Sequence, residues 1–239
     1  MQWFDKTVQK MKPYTRYTRQ EIISLLRIDD PSLHEGSYHW AIGGMLKSGK
    51  IIRNGFDEYM LPEGNMLPEY IPSYSSFSNF LMEKISDKYP YVGFTVFETV
   101  LMNDFLNHLI ARNTVFIQVD KDVSAIIFRF LQEENVRSVL YKPSQKDFNL
   151  YWIDNCVVVS DIVSEAPISI REPHVITIEK MLVDIYCDKL IKNTYSTAEY
   201  PSIMEQAMEY YKVDKTRMLR YARRRNKATQ IEQIIETLP

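Results

Sequence analysis

Hydrolysis of nucleic acid is the first chemistry to consider, because a metal-dependent nuclease needs carboxylates and a lysine gathered on a small sheet to hold Mg²⁺ and polarise water. The chain offers Glu98, Asp104 and the segment QVDK at 118–121. In such a motif an acidic residue stands two positions before the lysine, where this sequence has Val119. The aspartate of QVDK is better suited to the start of a helix, where the helix dipole favours a negative charge. The spacing therefore predicts no enzyme, although the nuclease stays open as an alternative.

Other catalytic and metal-binding patterns are weaker. The spacing shows neither a Ser-His-Asp set nor a glycine-rich phosphate loop, and the pair Asp104 and His108, four residues apart, is more typical of a surface contact than of a metal site. The two cysteines, Cys156 and Cys187, form no C-x-x-C motif and are far apart. We therefore predict no cofactor, no metal and no disulfide framework. The histidines are scattered at His34, His39, His108 and His174.

Cations with a spacing suited to phosphate contacts occur near both ends of the chain. The net charge is only −2, but residues 212–227 carry eight Lys or Arg against one Asp, whereas residues 63–211 are strongly acidic. This asymmetry indicates contact with a polyanion through the ends. On a helix drawn over DKTRMLRYARRRNK, five cations share one face that could bind DNA or a partner, or simply be solvated: Arg217, Arg220, Arg223, Arg224 and Lys227.

Near the N-terminus, two helices and a hairpin would position the remaining cations. YTRQEIISLL has Thr18 as N-cap and Glu21 three residues later, which is the capping-box pattern. A turn and a second helix, SYHWAIGGMLKSG, follow, and then GKIIRNGFDEYML predicts a hairpin that turns at Asn54-Gly55. Helix, turn, helix and hairpin are the order of a winged helix-turn-helix, in which the second helix enters the major groove.

The second helix has a buried arc and an outward face. At 100° per residue its apolar positions fall together, and the opposite face presents side chains for base contacts: Ser37, His39 and Trp40. Backbone phosphates would be held by Lys47, Lys50 and Arg53 around the helix end and the first strand. Winged helices also serve as protein-interaction modules, so a module that binds no DNA is the alternative.

The rest of the chain predicts a second domain. Prolines, serines and a glycine interrupt all periodicity near residues 63–76, which we interpret as a linker between residues 1–62 and a domain at 77–239. That domain alternates helical and extended segments and becomes helical after about residue 177, so the fold class is α/β (α+β). ETVLMNDFLNHLIAR is predicted to be helical, and Asp184 and Asp188 are predicted to lie on a solvated helix face.

These segments together resemble one known family. WAIGGMLKSGKIIRNGFDEYML is similar to the N-terminal winged helix of the AbiEi-type antitoxins, which has a Trp on the second helix, spaced apolar residues, a Gly, a basic hairpin and a closing Tyr. FETVLMNDFLNHLI, ITIEKMLVDIYCDKL and RMLRYARRRNKATQIEQII resemble segments of that family's C-terminal domain in the same order. The matching positions of the first segment are Trp40, Ile42, Leu46, Gly49, Arg53, Gly55 and Tyr59.

The resemblance implies a type IV antitoxin and autorepressor of an abortive-infection system. Such a protein binds inverted repeats of double-stranded DNA in its own promoter, as a monomer or a dimer, and counteracts a nucleotidyltransferase toxin, with direct contact left open. The sequence has no apolar run near the roughly 20 residues of a membrane span and no secretory signal, so we expect a cytoplasmic protein.

Overall fold

The computed structural model describes residues 4–12, 15–62, 67–106, 108–169 and 172–238 and divides into two compact units. The first unit comprises residues 1–71 and 208–212, and the second comprises residues 72–207 and 213–239. The division after Ile71 falls within the predicted linker, of which residues 63–66 lie outside the described residues. Residues 208–212, predicted to belong to the C-terminal domain, pack instead in the first unit, where the Lys212 N–H donates to the Pro68 carbonyl at 2.8 Å.

The first unit has the element order of a winged helix. Its helices are α1 (Asp5–Lys10), α2 (Arg19–Asp29) and α3 (Glu35–Lys47), and its strands are β1 (Tyr17–Thr18), β2 (Ile52–Gly55) and β3 (Glu58–Met60). The strands form an antiparallel sheet in the order β1-β3-β2. The hydrophobic core of this unit lies between the helices and the sheet. Its almost fully buried members include Ile22, Leu26, Tyr38, Ile42 and Met45.

The predicted capping box sets the start of α2. The Thr18 hydroxyl accepts from the Glu21 N–H, and the Glu21 carboxylate accepts from the Thr18 N–H at 2.7 Å. Two orphan backbone donors are satisfied by this exchange. Helix α3 ends just before Gly49, which adopts a φ of +65° that favours glycine. The sequence thus predicted both helices of the helix-turn-helix correctly.

The second unit is built on a four-stranded sheet. Its strands are β4 (Phe94–Glu98), β5 (Thr114–Val119), β6 (Val139–Tyr141) and β7 (Cys156–Asp161), in the order β4-β5-β7-β6, with β4 antiparallel to β5 and the other pairs parallel. The helices around it are α4 (Ser76–Lys88), α5 (Ser124–Glu133) and α6 (Gln145–Tyr151). This mixed architecture confirms the predicted α+β class.

Helices form the end of the chain, as predicted. They are α7 (Ile178–Cys187), α8 (Lys189–Lys192), α9 (Tyr200–Tyr210), α10 (Lys215–Arg224) and α11 (Ala228–Glu236), with a short 3-10 helix at Thr197–Glu199. None of the helices in the described ranges is long and apolar enough to cross a bilayer.

One predicted helix is wrong. ETVLMNDFLNHLIAR forms only a 3-10 helix at Thr99–Asp104 and then an irregular connection. The segment joins two antiparallel neighbours, and both of its ends are fixed to them: Glu98 ends β4, and the Thr114 N–H at the start of β5 donates to the Thr99 hydroxyl at 2.9 Å. A continuous helix of that length would carry the chain about 20 Å away from β5.

Candidate nucleic-acid interface

Helix α3 is positioned by its own cap and by its apolar arc. The imidazole Nδ1 of His34 accepts from the Gly36 N–H at 3.4 Å at the first turn. Tyr38, Ala41 and Ile42 face the core, and the Tyr38 hydroxyl donates to the Asp30 carbonyl at 2.9 Å. The opposite face is therefore directed away from the core.

The residues predicted to contact bases differ in their solvent exposure. His39 is exposed, and Trp40 exposes 66% of its surface, which is unusual for a tryptophan. Ser37 is half-buried and lies toward the edge of the face. The outward face of α3 is therefore centred on Trp40, between Gly36 and Gly43, with Lys47 one turn further along.

Helix α1 supports Trp40 from one side. Phe4, at the start of α1, is fully buried, and its ring meets the indole edge-on at a centroid distance of 6.5 Å. The same ring fills the space beside Gly44, where an added Cβ would come within 3.0 Å of two ring carbons. The two adjacent glycines of α3 therefore differ in their surroundings, because Phe4 covers Gly44 while Gly43 has open space beside it.

These neighbouring glycines give a matched pair of variants. Gly43→Ala should raise the free energy of unfolding by about 0.5–1 kcal/mol, because alanine favours a helix and the new methyl group meets nothing within 4 Å. Gly44→Ala should lose that gain, since its methyl group pushes against the buried ring of Phe4. Thermal unfolding of both variants measures the difference, and equal stabilities would contradict the close contact between Phe4 and Gly44.

The cations predicted to hold phosphates are not equally available. Lys47 is exposed at the end of α3. Lys50 forms an ion pair with Asp5, and its ammonium lies 5.3 Å from the centre of the Phe4 ring. Arg53 is half-buried on β2, with its Cα paired to Tyr59 across the hairpin. Of the three predicted phosphate contacts, Lys47 is the one that reaches solvent most directly.

The hairpin turns two residues later than predicted. Asn54 and Gly55 lie in strand β2, where Gly55 has a φ of +146° beside a register shift, and the turn is made by Phe56 and Asp57. Asp57 adopts a φ of +54°, and its carboxylate accepts from the Arg19 N–H at 3.2 Å. The hydrogen bond from the start of α2 stabilises the positive φ of Asp57, so the turn forms at that residue. Gly55 lies at the irregularity of β2 instead.

The five cations of the predicted basic face of the C-terminal helix differ in their contacts. Arg217 donates to the Ile168 carbonyl, and Arg224 donates to the Ser164 hydroxyl at 2.9 Å, so both are bonded to the segment after β7. Lys227 is the N-cap of α11 and lies beyond the end of α10. The two members that are exposed and form no ion pair with any described residue are Arg220 and Arg223.

A buried ionic cluster was missed by the sequence analysis. Lys180 and Asp184, each about 1% exposed, form an ion pair one turn apart on α7, and Lys180 also donates to Gln118 on β5. Asp184 further accepts from the Tyr221 hydroxyl at 2.8 Å and from Arg225 at 3.3 Å. The prediction of a solvated face at Asp184 is wrong, because α10 and β5 pack on both sides of α7. The spacing of Lys180 and Asp184 was the available signal.

Burial and neighbouring charges shift the pKa values of three groups in and beside this cluster. Burial raises the pKa of the Tyr221 phenol, so the hydroxyl stays protonated and donates to Asp184. Burial alone would lower the pKa of Arg225, but the charges of Asp184 and of the other acidic groups around it together outweigh burial, and the pKa is raised. Asp188 is half-buried and is the N-cap of α8, where burial raises the pKa of its carboxyl. The cluster therefore joins Lys180 and Arg225 to the carboxylate of Asp184 inside the second unit.

The residues of the nuclease alternative are separated by the sheet. Glu98 is fully buried and accepts from four donors on Ser75, Ser78 and Asn113, at distances of 2.5–2.8 Å. In the antiparallel register Glu98 pairs with Val115, so it lies near the opposite end of β5 from Asp120. About five residues at 3.4 Å each separate the two carboxylates, which is too far to share one metal ion. The imidazole Nδ1 of His108 lies 3.4 Å from the carboxylate of Glu199, and the 3-10 helix that contains Asp104 ends at that residue.

Comparison of the sequence with models of known protein families gives a match. A family model described as "Family of unknown function (DUF6577)" matches residues 37–238. The chain belongs to this family. No curated protein matches the chain. The match to DUF6577 begins within α3 and includes the hairpin, the sheet of the second unit and all the C-terminal helices, whereas α1, β1 and α2 lie outside it.

Proposed function

We propose that this member of DUF6577 is a DNA-binding regulator that acts through its winged helix. The observation that carries the proposal is the element order α1-β1-α2-α3-β2-β3 around its own core, with Trp40 and Lys47 on the outward face of α3. In this arrangement α3 enters the major groove, α2 crosses behind it and the hairpin reaches the flanking backbone.

Each predicted site residue has a role in this proposal. His39 and Trp40, in the first half of α3, contact base edges, and Ser37 contributes from the rim of the same face. Lys47 contacts a phosphate at the end of the helix. Arg53 contributes positive charge from the hairpin. Lys50 contributes less than the sequence suggested, because its ion pair with Asp5 already neutralises it.

The biological role follows from the resemblance to the AbiEi-type antitoxins. We propose an autorepressor of the type IV toxin-antitoxin class that binds inverted repeats in its own promoter, as a monomer or a dimer, and counteracts a nucleotidyltransferase toxin. In this role the chain has no catalytic activity and no cofactor of its own, and it acts in the cytoplasm. Exposed Arg220 and Arg223 on α10 are the residues that would add DNA or partner contacts outside the winged helix.

A protein-interaction module without DNA binding is the second candidate, and one observation favours it. Four cations of the first unit are engaged in internal ion pairs, which lowers the positive potential that a duplex would meet. These pairs are Lys10–Asp29, Arg16–Glu58, Arg27–Glu35 and Lys50–Asp5.

Binding to the DNA upstream of the protein's own coding region separates the two candidates. At ~150 mM salt, where non-specific binding is weak, the full-length protein should retard this duplex in a gel and spare an unrelated duplex of equal length. Lys47→Gln should weaken binding and reduce the slope of log affinity against log salt by about one, because one phosphate contact is lost. Lys88→Gln, an exposed change on α4, is the matched control. Absence of any shift would favour the interaction module.

A further inference from the structure

Trp40 has the largest side chain on the outward face of α3. Its neighbours along the helix, Gly36 and Gly43, have no side chains, and a Cβ at Gly43 would meet nothing within 4 Å. The indole therefore stands between two glycines, with 66% of its surface exposed. A flat apolar group in this position is suited to contact with another apolar group at the bottom of a groove.

The indole is also held in place before any ligand arrives. Phe4 contacts it edge-on at an interplanar angle of 62°, and Phe4 is itself fixed by burial against Gly44. Because the ring is supported from the α1 side, binding costs little side-chain freedom. The exposed part of the ring is directed away from that support.

The charges around Trp40 exclude one common way of reading bases. Guanine is most often read by Arg or Lys, and the N-terminal residues of a recognition helix are the ones that contact base edges. The first half of α3 carries neither Arg nor Lys, and Lys47 is its last residue. Arg27, near the start of α3, forms an ion pair with Glu35 at 2.6 Å. The apolar group that the major groove offers is the C5 methyl group of thymine.

We infer that Trp40 is a specificity-determining residue that reads a thymine in each half-site through contact of its indole with the C5 methyl group. The inference rests on the proposed DNA-binding function and names the base that this function reads. Contact with one methyl group is worth about fourfold in affinity when the group is fully buried.

The test begins with selection of duplexes from a randomised pool by the full-length protein at ~150 mM salt. In the best selected duplex, each thymine is then replaced in turn by deoxyuridine, which removes only the methyl group. We expect one position in each half-site at which this replacement weakens wild-type binding about fourfold. Trp40→Ala should bind thymine and uracil at that position equally. Phe56→Ala, which removes an exposed aromatic ring at the tip of the hairpin, should keep the preference.

The outcomes distinguish this inference from the proposal beneath it. If selection enriches no sequence, DNA readout itself fails and the inference fails with it. If a sequence is enriched but uracil is neutral at every position, DNA binding stands and the reading of thymine is overturned. A uracil effect that persists in Trp40→Ala also overturns the role of the indole. The uracil replacement leaves the protein unchanged, so the result does not depend on how a variant folds.

Discussion

Asp184→Ala is expected to lower the free energy of unfolding of the second unit by about 3–5 kcal/mol, because it leaves Lys180 and Arg225 buried without their shared carboxylate. The Tyr221 hydroxyl loses its acceptor at the same time. Urea denaturation followed by circular dichroism measures the loss. Glu232→Ala, at an exposed position on α11, is the control and should change stability by less than about 0.5 kcal/mol.

A double variant tests the cause of that loss. Lys180→Met combined with Asp184→Leu removes both members of the ion pair and fills the space with apolar groups. It should be less destabilised than Asp184→Ala, because Lys180 is no longer left as a buried cation and Asp188 lies 4.0 Å from Arg225. The Tyr221 hydroxyl and the Gln118 side chain still lose a partner in this variant. A loss as large as that of the single variant would show that packing, and not an uncompensated buried charge, governs the site.

Glu98→Ala should destabilise the second unit by an amount on the order of 3–4 kcal/mol, because buried donors on Ser75, Ser78 and Asn113 all lose their acceptor. These bonds join the start of α4 to β4 and to the start of β5. The measurement is again urea denaturation, and Glu83→Ala, exposed on α4, is the control.

Glu98→Gln separates the shape of the side chain from its accepting capacity. The amide keeps the volume but presents an NH₂ group to donors, so we expect a loss between those of the control and Glu98→Ala. A Glu98→Gln protein as stable as the wild type would contradict a structural role for the carboxylate. Loss of any activity in Glu98 variants would then need a stability control before it could indicate catalysis.

Local signals predicted the first unit well. Thr18 and Glu21 marked the start of α2, and the apolar spacing of α3 identified its buried arc, because both depend on residues within one or two turns. The hairpin was predicted, but its turn was placed two residues too early. The reason lies 38 residues away in the chain, where the Arg19 N–H bonds to Asp57, and no local pattern contains that contact.

Long-range packing accounts for the failures in the second unit and in the candidate interface. Asp184 was predicted to be solvated because it lies opposite the apolar residues of its helix, but it pairs with Lys180, which contacts β5, and with residues of and after α10. Lys50 looked available because Asp5 is 45 residues away. The sequence predicted which cations and aromatic residues could bind DNA. It could not show which of them were already neutralised within the fold.

The bond between Asp57 and Arg19 also bears on the thermodynamics of docking. It ties the hairpin tip to the first turn of α2, and the ion pair of Arg16 with Glu58 adds a second tether at 3.3 Å. A loop anchored in this way loses little conformational entropy when a ligand immobilises it. Removing both contacts should therefore increase the entropic cost of forming the proposed complex with DNA. This effect does not require any of the four residues to contact the ligand.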